Sequence, residues 1–401
     1  MLDKQKVRLL NRNIRLFGIY KVFTKRVFLP VTTIYATQAA GLNIQQIGLV
    51  ASFSSIVSLL CDTTTGYWAD IHGRKRSAQV GSALSALASA VFVVSTGFYG
   101  ILIASLILAV AYSFLSGAMD ALVHDSLIVL ERPDDYARAA SRAQSLSLIL
   151  NAVFVATVPL LYPIDKRLPF MVGILAYLAL FSIASLLYEP QIEHDPSTEM
   201  QRFSKTIKQI LSRHTMWFFI MSGFVFAIGT GTSDVFNLAQ IEIGVPIKYV
   251  GTVFACSSLL GAVMGVWIHH LKKLSFKAFA TLDLAISFTP FVAYGVFRSL
   301  PIAIVSFVVS FAFWRYEQIM YQHYILQIYG NARYKATILS LSINFRSLHE
   351  IWIAIASTSV ARHFGILSSI GYSSALILLV WPLLMLSISQ FSAHARADAA
   401  S

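Results

Sequence analysis

The sequence predicts an all-α polytopic membrane protein whose twelve transmembrane helices form two six-helix, pseudo-symmetric bundles. Three observations predict this fold class. Hydrophobic residues make up 56% of the 401 residues and charged residues only 12%, whereas soluble domains average about 25% charged residues. Apolar runs long enough to cross a bilayer recur along the chain. The longest polar connection, residues 189–213, divides the chain nearly in half.

Each apolar run is predicted to be a helix, because a backbone in hydrocarbon must satisfy its own hydrogen bonds. The predicted spans, numbered 1 to 12 in chain order, are 16–38, 44–68, 77–97, 99–127, 142–163, 169–189, 216–240, 248–270, 277–297, 301–328, 336–361 and 366–391. We therefore expect an N-terminal bundle over residues 1–188, a cytoplasmic linker over 189–213 and a C-terminal bundle over 214–401.

The basic residues are distributed unevenly among the loops. If the N-terminus is cytoplasmic, 21 of the 31 Lys and Arg residues lie in cytoplasmic segments and five lie in outside loops. This bias follows the positive-inside rule and predicts that both termini are cytoplasmic. The net charge of +12 is then a consequence of topology, and we expect no nucleic-acid partner.

Neither metal nor disulfide chemistry is expected. Cys61 and Cys256, the two cysteines, lie inside apolar spans, where they form no ligand cluster or disulfide framework. Lys21, Lys25 and Arg26 interrupt the first apolar run, so we interpret it as a retained helix and not as a signal peptide. No cofactor is predicted.

The segment between spans 2 and 3 carries the most informative motif. Residues 66–76 read Gly-Tyr-Trp-Ala-Asp-Ile-His-Gly-Arg-Lys-Arg. We expect Gly66 to permit close helix approach, Asp70 to cap or pair at a helix end and Gly73 to allow a tight reversal. Arg74 and the next two residues hold the loop on the cytoplasmic side. The spacing G-x-x-x-D-x-x-G-R-K resembles the loop between the second and third helices of major facilitator superfamily transporters.

Further stretches resemble a drug-efflux-like branch of that superfamily, whose members are mostly bacterial. They are residues 41–48, 116–127 and 335–340. The resemblance implies a bacterial inner-membrane transporter in which Asp125 meets Arg74, alongside Asp70, as a cytoplasmic latch. Two features depart from the branch: residues 62–66 lack its proline, and span 5 lacks the glycine of its antiporter signature.

The second half of the chain carries a faded copy of the motif, 199 residues further on. Its members are Gly265, Trp267, His269 and Lys273, which follow Gly66, Trp68, Asp70 and Arg74 at that constant offset. This is the position where a duplicated six-helix unit would place them. In the superfamily, such repeats imply a substrate path between the two halves.

Ionisable residues deep in the predicted spans are candidate functional groups, because each costs at least ~2.5–3.5 kcal/mol without a partner or a water-filled cavity. The candidates for the substrate or proton pathway are Lys25, Arg26, Asp62, Asp120, His124, Asp234, Arg315, Glu317, Arg346 and Glu350. Asp120 with His124, and Arg346 with Glu350, are four residues apart and share a helix face. Residues 229–234 predict an unwound stretch in span 7.

Structural roles remain open for several of these side chains. Asp62 could form a buried hydrogen bond, Arg346 and Glu350 could form an intrahelical ion pair, and His124 could be a satisfied core histidine. The segment 66–76 is interpreted as a conformational latch and not as a ligand site.

The sequence therefore predicts a secondary active transporter and not an enzyme, because no nucleotide-binding loop or catalytic cluster is present. We expect proton-coupled efflux of small amphiphilic or drug-like molecules by a monomer in the lipid bilayer, with Asp62, Asp120 and Glu350 as coupling groups. The alternative is an importer or exporter of a small organic anion, which Lys25, Arg26, Arg315 and Arg346 would suit. A more distant alternative is a non-transporting receptor or lipid-modifying enzyme on the same scaffold.

Overall fold

The protein is helical throughout the residues that the computed structural model describes, 4–132, 135–190, 213–271, 273–328 and 335–400. These residues contain no strand, which confirms the all-α fold class. The helices are α1 Lys4–Phe23, α2 Leu29–Gln38, α3 Ile44–His72, α4 Arg74–Val94, α5 Gly97–Leu115, α6 Ala118–Val129, α7 Tyr136–Thr157, α8 Leu168–Leu186, α9 Arg213–Gly231, α10 Ser233–Glu242, α11 Ile247–Leu271, α12 Phe276–Val292, α13 Leu300–Ile328, α14 Lys335–Phe364 and α15 Ile366–Ala400.

Ten segments of the described chain are long and apolar enough to cross a membrane. They account for every predicted span except the first and the eleventh. The first span contains the basic residues of α1 and of the break after it, and these lower its mean hydropathy. In the eleventh span, Arg346 and Glu350 of α14 have the same effect.

Three predicted spans are divided in the structure. Span 1 becomes α1 and α2, with Pro30 in the first turn of α2, because proline lacks an N–H and clashes with the turn before it. Span 4 becomes α5 and α6, which Ser116 and Gly117 separate; Gly117 has φ +72°. Span 7 becomes α9 and α10, which only Thr232 separates.

The predicted unwound stretch at 229–234 is therefore wrong in extent. Thr232 N donates to Ile228 O at 3.2 Å, and Phe236 N donates to Thr232 O at 3.0 Å, so the helical hydrogen bonds continue past the break. Gly229 serves packing instead. A Cβ on this residue would lie 3.1 Å from the Trp314 ring.

The chain forms two compact units. The first comprises Met1–Leu42, Ile56–Pro196 and Ile247–Ala255, and the second comprises Asn43–Ser55, Ser197–Pro246 and Cys256–Ser401. Residues 191–212 of the predicted linker lie outside the described residues, as do the side chains of Gly265, Trp267 and His269 in the faded repeat. The three-part division of the chain stays a prediction.

Each unit is built around buried aromatic rings and small side chains. In the first unit α4 packs against α5 and α8, and the rings of Phe28, Phe92 and Phe170 pack together at centroid distances of 5.0–6.1 Å. In the second unit α9 packs against α14 and α15, and Phe236 contacts Phe291 at 5.0 Å. Burial of these rings drives the packing and fixes the polar side chains described next.

Candidate functional site

Two carboxyl groups lie side by side inside the second unit. Asp283 of α12 is fully buried and Glu317 of α13 is 6% exposed. The two side chains are within hydrogen-bonding range of each other. Tyr321 Oη donates to Asp283 Oδ2 at 3.2 Å, whereas Asp283 Oδ1 is buried and receives no hydrogen bond within the described chain. A hydrogen bond between two carboxyl groups requires a proton on one of them, so this pair can hold a proton.

Helical periodicity aims both carboxyl groups into the core. On α12 the buried residues recur every three or four positions and are Phe276, Phe279, Ala280, Asp283, Leu284, Ser287, Pro290 and Phe291. On α13 the buried stripe includes Phe313, Glu317, Met320, Tyr321 and Tyr324. Asp283 and Glu317 each occupy an apolar stripe where a core residue would be expected.

A small cavity lies beside Glu317. Its volume is about 10 Å³, and Gly229, Ser287 and Trp314 line it together with the carboxyl group. This is room for about one water molecule. Trp314 Nε1 donates to Ser287 Oγ at 2.6 Å, which fixes the indole at the cavity wall. A single water at this position could carry a proton to or from Glu317.

Arg346 on α14 connects the buried pair to a third carboxylate. Its Nε donates to Glu350 Oε1 at 2.8 Å, and Thr230 Oγ1 donates to the same oxygen at 2.5 Å. The positive charge of Arg346 also acts on Glu317. The geometry of Arg346 and Glu350 is that of an intrahelical ion pair, which matches the structural alternative raised for these residues.

Arg315 and Asp234 occupy other positions in the second unit. Arg315 Nη2 donates to Ser258 Oγ at 2.7 Å, and its Nε is buried without a hydrogen-bond partner in the described chain. The side chain lies so close to Gly261 that a Cβ there would meet Arg315 Cδ at 2.9 Å. Asp234 is half-buried in the first turn of α10, where the helix dipole favours a negative charge.

In the first unit, polar contacts gather where the helices break. Lys21 Nζ lies 2.8 Å from Asp120 Oδ2, and Tyr136 Oη donates to Asp120 Oδ1 at 3.2 Å. Tyr136 precedes the membrane-spanning part of α7. Burial, with the charge of Asp120 adding to it, raises the pKa of Tyr136 to about 12. The exposed His124 ring meets Tyr136 edge-on at 5.3 Å, so Tyr136 touches both members of the predicted Asp120–His124 face.

Lys25 and Arg26 lie in the break between α1 and α2. Lys25 is half-buried and Arg26 is exposed. The Arg26 guanidinium lies over the Tyr112 ring, 4.4 Å from its centroid. Tyr112 Oη donates to Thr24 O at 3.1 Å and is 2.8 Å from Tyr177 Oη, which holds the ring in place.

Asp62 does not join either group. Its side chain is exposed on α3, and it forms no hydrogen bond or ion pair with the residues that the structure describes. The alternative of a buried hydrogen bond at Asp62 is therefore wrong.

The motif at 66–76 forms a polar cluster at the α3–α4 junction. An Arg74 guanidinium nitrogen contacts the Asp125 carboxylate, and Arg74 Nη2 is 3.5 Å from Asp70 Oδ1. Glu189 accepts hydrogen bonds from the backbone N–H groups of Arg74 at 2.9 Å and Lys75 at 2.7 Å. The residues named for the latch thus meet, while their role as a latch stays a prediction.

The two motif glycines behave differently. Gly73 has φ +100°, the left-handed region that favours glycine, and a Cβ there would meet the Glu189 carboxylate at 3.3 Å. Around Gly66, no atom of the described chain lies within 4 Å of the Cβ position. The expected close helix approach at Gly66 is absent in this structure.

Comparison with known proteins decides the family. The family model for the Major Facilitator Superfamily matches residues 20–348, which is most of the chain. The chain belongs to the Major Facilitator Superfamily. The superfamily's members are transporters, and a transporter function of this type is supported for the present chain.

One relative is similar to this chain over more than nine-tenths of the length of both proteins. This relative is the uncharacterized MFS-type transporter YxaM of Bacillus subtilis (strain 168), with 23% identity over 391 residues that cover 93% of this chain and 94% of the relative. Neither comparison tests the drug-efflux-like branch, which stays a prediction.

Solved superfamily structures show the same fold at low sequence identity. A mutant of the nucleoside transporter NupG has a TM-score of 0.81 with 14% identity, covering 94% of this chain and 99% of that chain. A D-xylose-proton symporter has a TM-score of 0.64 with 13% identity, covering 94% and 96%. A bacterial homologue of the human drug peptide transporters has a TM-score of 0.70 with 12% identity, covering 96% and 98%.

Three residues that take part in the sites described above were not predicted from the sequence. Asp283 is a carboxylate in an apolar span, but it lies only six residues from the start of predicted span 9 (277–297), so a search for charges near the middle of a span passes over it. Glu189 lies 115 and 114 residues from its backbone partners Arg74 and Lys75, and nothing local predicts that contact. Tyr112 carries no charge, so a search for intramembrane ionisable groups passes over it.

Proposed function

We propose that this protein is a proton-coupled exporter of small amphiphilic molecules that works by alternating access, and that Asp283 and Glu317 hold the coupling proton. The observation that carries the proposal is the adjacency of two buried carboxyl groups in one unit. Burying two neighbouring negative charges is costly, and a shared proton removes one of those charges. Loss of that proton then favours a rearrangement that lets water reach the pair.

The surroundings of the pair support this role. Tyr321 donates to Asp283, Arg346 supplies a positive charge near Glu317, and the cavity beside Glu317 has room for a water. Protons as coupling ions have precedent on this fold, because similar solved structures include a D-xylose-proton symporter and proton dependent oligopeptide transporters.

The coupling groups proposed from sequence alone are weaker candidates. Asp62 is exposed, whereas Asp120 and Glu350 each have a close basic partner, Lys21 and Arg346. A carboxylate that is already neutralised by a fixed cation gains less from a proton. We therefore assign coupling to Asp283 and Glu317 instead.

Export and the location of the protein rest on the sequence. The stretches that resemble the drug-efflux-like branch span most of the chain and favour export across a bacterial inner membrane. The distribution of basic residues favours cytoplasmic positions for both termini. A second candidate is an importer of a small organic anion, which the exposed Arg26 favours. Accumulation of a probe by inside-out vesicles supports export, and accumulation by right-side-out vesicles supports import.

A test of the proton site does not require the natural substrate. Infrared difference spectra of the purified protein, recorded as pH is raised, should show loss of a protonated-carboxyl band. Asp283→Asn and Glu317→Gln should each change or remove this band, whereas Asp165→Asn, at an exposed loop position, should leave it unchanged. An identical band in both buried variants would refute the assignment.

The same variants test coupling. In inside-out vesicles, an imposed pH gradient should drive accumulation of an anionic amphiphilic fluorescent dye in the wild type and in Asp165→Asn. Asp283→Asn and Glu317→Gln should lose gradient-driven accumulation while retaining dye exchange in the absence of a gradient. Undiminished gradient-driven accumulation in both variants would contradict proton coupling at this pair.

A further inference from the structure

Arg26 holds a positive charge at an unusual depth. Arg26 lies in the break between α1 and α2, ten residues after the start and twelve before the end of predicted span 1 (16–38), so it is near the middle of that span. The residue is nevertheless exposed. An exposed charge at the midplane is too costly to face hydrocarbon, so Arg26 faces a water-filled space.

The contacts of Arg26 leave its charge uncompensated. In the described part of the chain, no carboxylate forms an ion pair with Arg26, whereas nearby Lys21 is paired with Asp120 at 2.8 Å. A positive charge without an ion-pair partner, in a water-filled space at this depth, attracts an anion.

The guanidinium is also held in a defined orientation. The guanidinium carbon lies over the Tyr112 ring, 4.4 Å from its centroid, which is a cation–π contact. The ring is fixed by the hydrogen bond from Tyr112 Oη to Thr24 O and by contact with Tyr177 Oη. The guanidinium also hydrogen-bonds the Tyr112 hydroxyl, and its remaining N–H groups can bind a carboxylate or a phosphate in a bidentate geometry.

We propose that Arg26 binds a negatively charged group, a carboxylate or a phosphate, on the transported molecule, and that Tyr112 is the positioning residue for its guanidinium. This inference rests on the proposed transport function and assigns the class of its substrate. A lipid headgroup is disfavoured as the anion, because Arg26 lies near the middle of its span and not at an interface.

Binding can be measured without transport. The purified full-length protein in detergent is titrated with four probes of one shape, benzoate, phenyl phosphate, benzamide and benzylamine, and with the soluble lipid dioctanoyl phosphatidylglycerol, and its melting temperature is recorded. We expect saturable stabilisation by benzoate, phenyl phosphate or both, and none by benzamide or benzylamine. Stabilisation by the lipid alone, by benzylamine, by benzamide equally with benzoate, or by no anionic probe overturns the proposal.

Variants tie the effect to the residue. Arg26→Gln should weaken binding of the stabilising anion by about tenfold or more, since a hydrogen-bonded charge is lost, and Arg26→Lys should restore part of it. Arg298→Gln is the matched control, because Arg298 is an exposed arginine bonded to Ser368 at 3.1 Å in the second unit. Equal binding by wild type and Arg26→Gln overturns the proposal.

Tyr112 offers a second test if Arg26→Gln does not fold. Tyr112→Phe keeps the ring beneath the guanidinium and should keep anion affinity within about threefold, whereas Tyr112→Leu removes the ring and should weaken it further. Equal affinity in the two variants contradicts the positioning role. A purely structural role for Tyr112 would lower the melting temperature without changing the preference for benzoate over benzamide.

Failure of the anion site at Arg26 can be distinguished from failure of proton coupling at Asp283 and Glu317. If Asp283→Asn and Glu317→Gln remain fully coupled, proton coupling at that pair fails, although anion binding at Arg26 stands on the melting data. If coupling is lost in those variants but Arg26→Gln binds benzoate normally, the proposed function stands and the anion site fails.

Discussion

Two glycines in one motif place different demands on the backbone. Gly73 combines φ +100° with the Glu189 carboxylate 3.3 Å from its Cβ position, while Gly66 is helical and faces open space. We expect Gly73→Ala to lower the free energy of unfolding by about 1 kcal/mol or more. Gly66→Ala should be neutral or stabilising by up to about 1 kcal/mol. Thermal unfolding of both purified variants measures the difference, and equal melting temperatures would contradict the assignment.

Tyr136 gives a residue-scale prediction about pH. Burial and Asp120 raise its pKa to about 12 from an ordinary value of 10, so the folded protein favours the neutral phenol. The stability that this preference contributes is fully present below about pH 10 and is lost as pH rises from 10 through 12. The stability difference between wild type and Tyr136→Phe should therefore be constant between about pH 6 and 9. A difference that changes across this range would mean that the phenol titrates much lower.

Single residues also show how far the sequence leads toward a site. Glu317 could be predicted from its depth in an apolar span, whereas Asp283, six residues from the start of predicted span 9, lies too near the end of its span for that reasoning. Their adjacency could not be predicted either, because it depends on how α12 and α13 rotate about their axes when their aromatic stripes pack. Similarly, the sequence shows that Arg26 is a charged residue inside a predicted span. Only the structure shows that Asp120 pairs with Lys21 and that Arg26 contacts Tyr112 instead of a carboxylate.

The N-terminus of α4 shows how one distant side chain completes a helix. The first backbone N–H groups of a helix have no partner inside it, and Glu189 accepts two of them, from Arg74 and Lys75. We expect Glu189→Gln to destabilise the protein by about 0.5–2 kcal/mol and to speed hydrogen exchange at those two amides. Glu131→Gln, at an exposed position in the loop after α6, is the control. Unchanged exchange at Arg74 and Lys75 would show that Glu189 does not cap α4.

Helix boundaries can be explained from the sequence where a single residue determines the backbone angles. Pro30 marks the start of α2 and Gly117 marks the break before α6, and both residues restrict or permit particular backbone angles. The Gly229–Asp234 segment was misread because its glycines suggested a flexible backbone. Gly229 is instead small because the Trp314 ring packs against it, a reason that only the tertiary structure reveals.

At the scale of the whole molecule, composition and one loop motif led to the correct superfamily. A chain with 56% hydrophobic residues and recurrent apolar runs has few choices other than a helical bundle in lipid. The substrate could not be predicted in the same way. Related folds carry nucleosides, a sugar or peptides in the solved structures, so specificity depends on a few side chains placed on a shared frame.

The orientation of that frame is itself testable. We expect the α3–α4 junction and the α11–α12 loop on the cytoplasmic side and the loop before α8 outside, because the bias of basic residues sets topology. After Cys61 and Cys256 are replaced by serine, single cysteines at Arg76, Lys273 and Lys166 probe these three exposed positions. A membrane-impermeant maleimide should label Lys166→Cys in intact cells, and Arg76→Cys and Lys273→Cys only in inside-out vesicles.

This labelling pattern follows from the number of membrane crossings, so it tests the duplicated plan as well as its direction. Between Arg76 and Lys273 the chain makes six predicted crossings, and an even number returns it to the same side. Between Arg76 and Lys166 it makes three, and an odd number places them on opposite sides. Two results would contradict the two-bundle arrangement. One is labelling of the cysteines at 76 and 166 from the same side of the membrane, and the other is labelling of the cysteines at 76 and 273 from opposite sides. Neither result would contradict the fold of each unit.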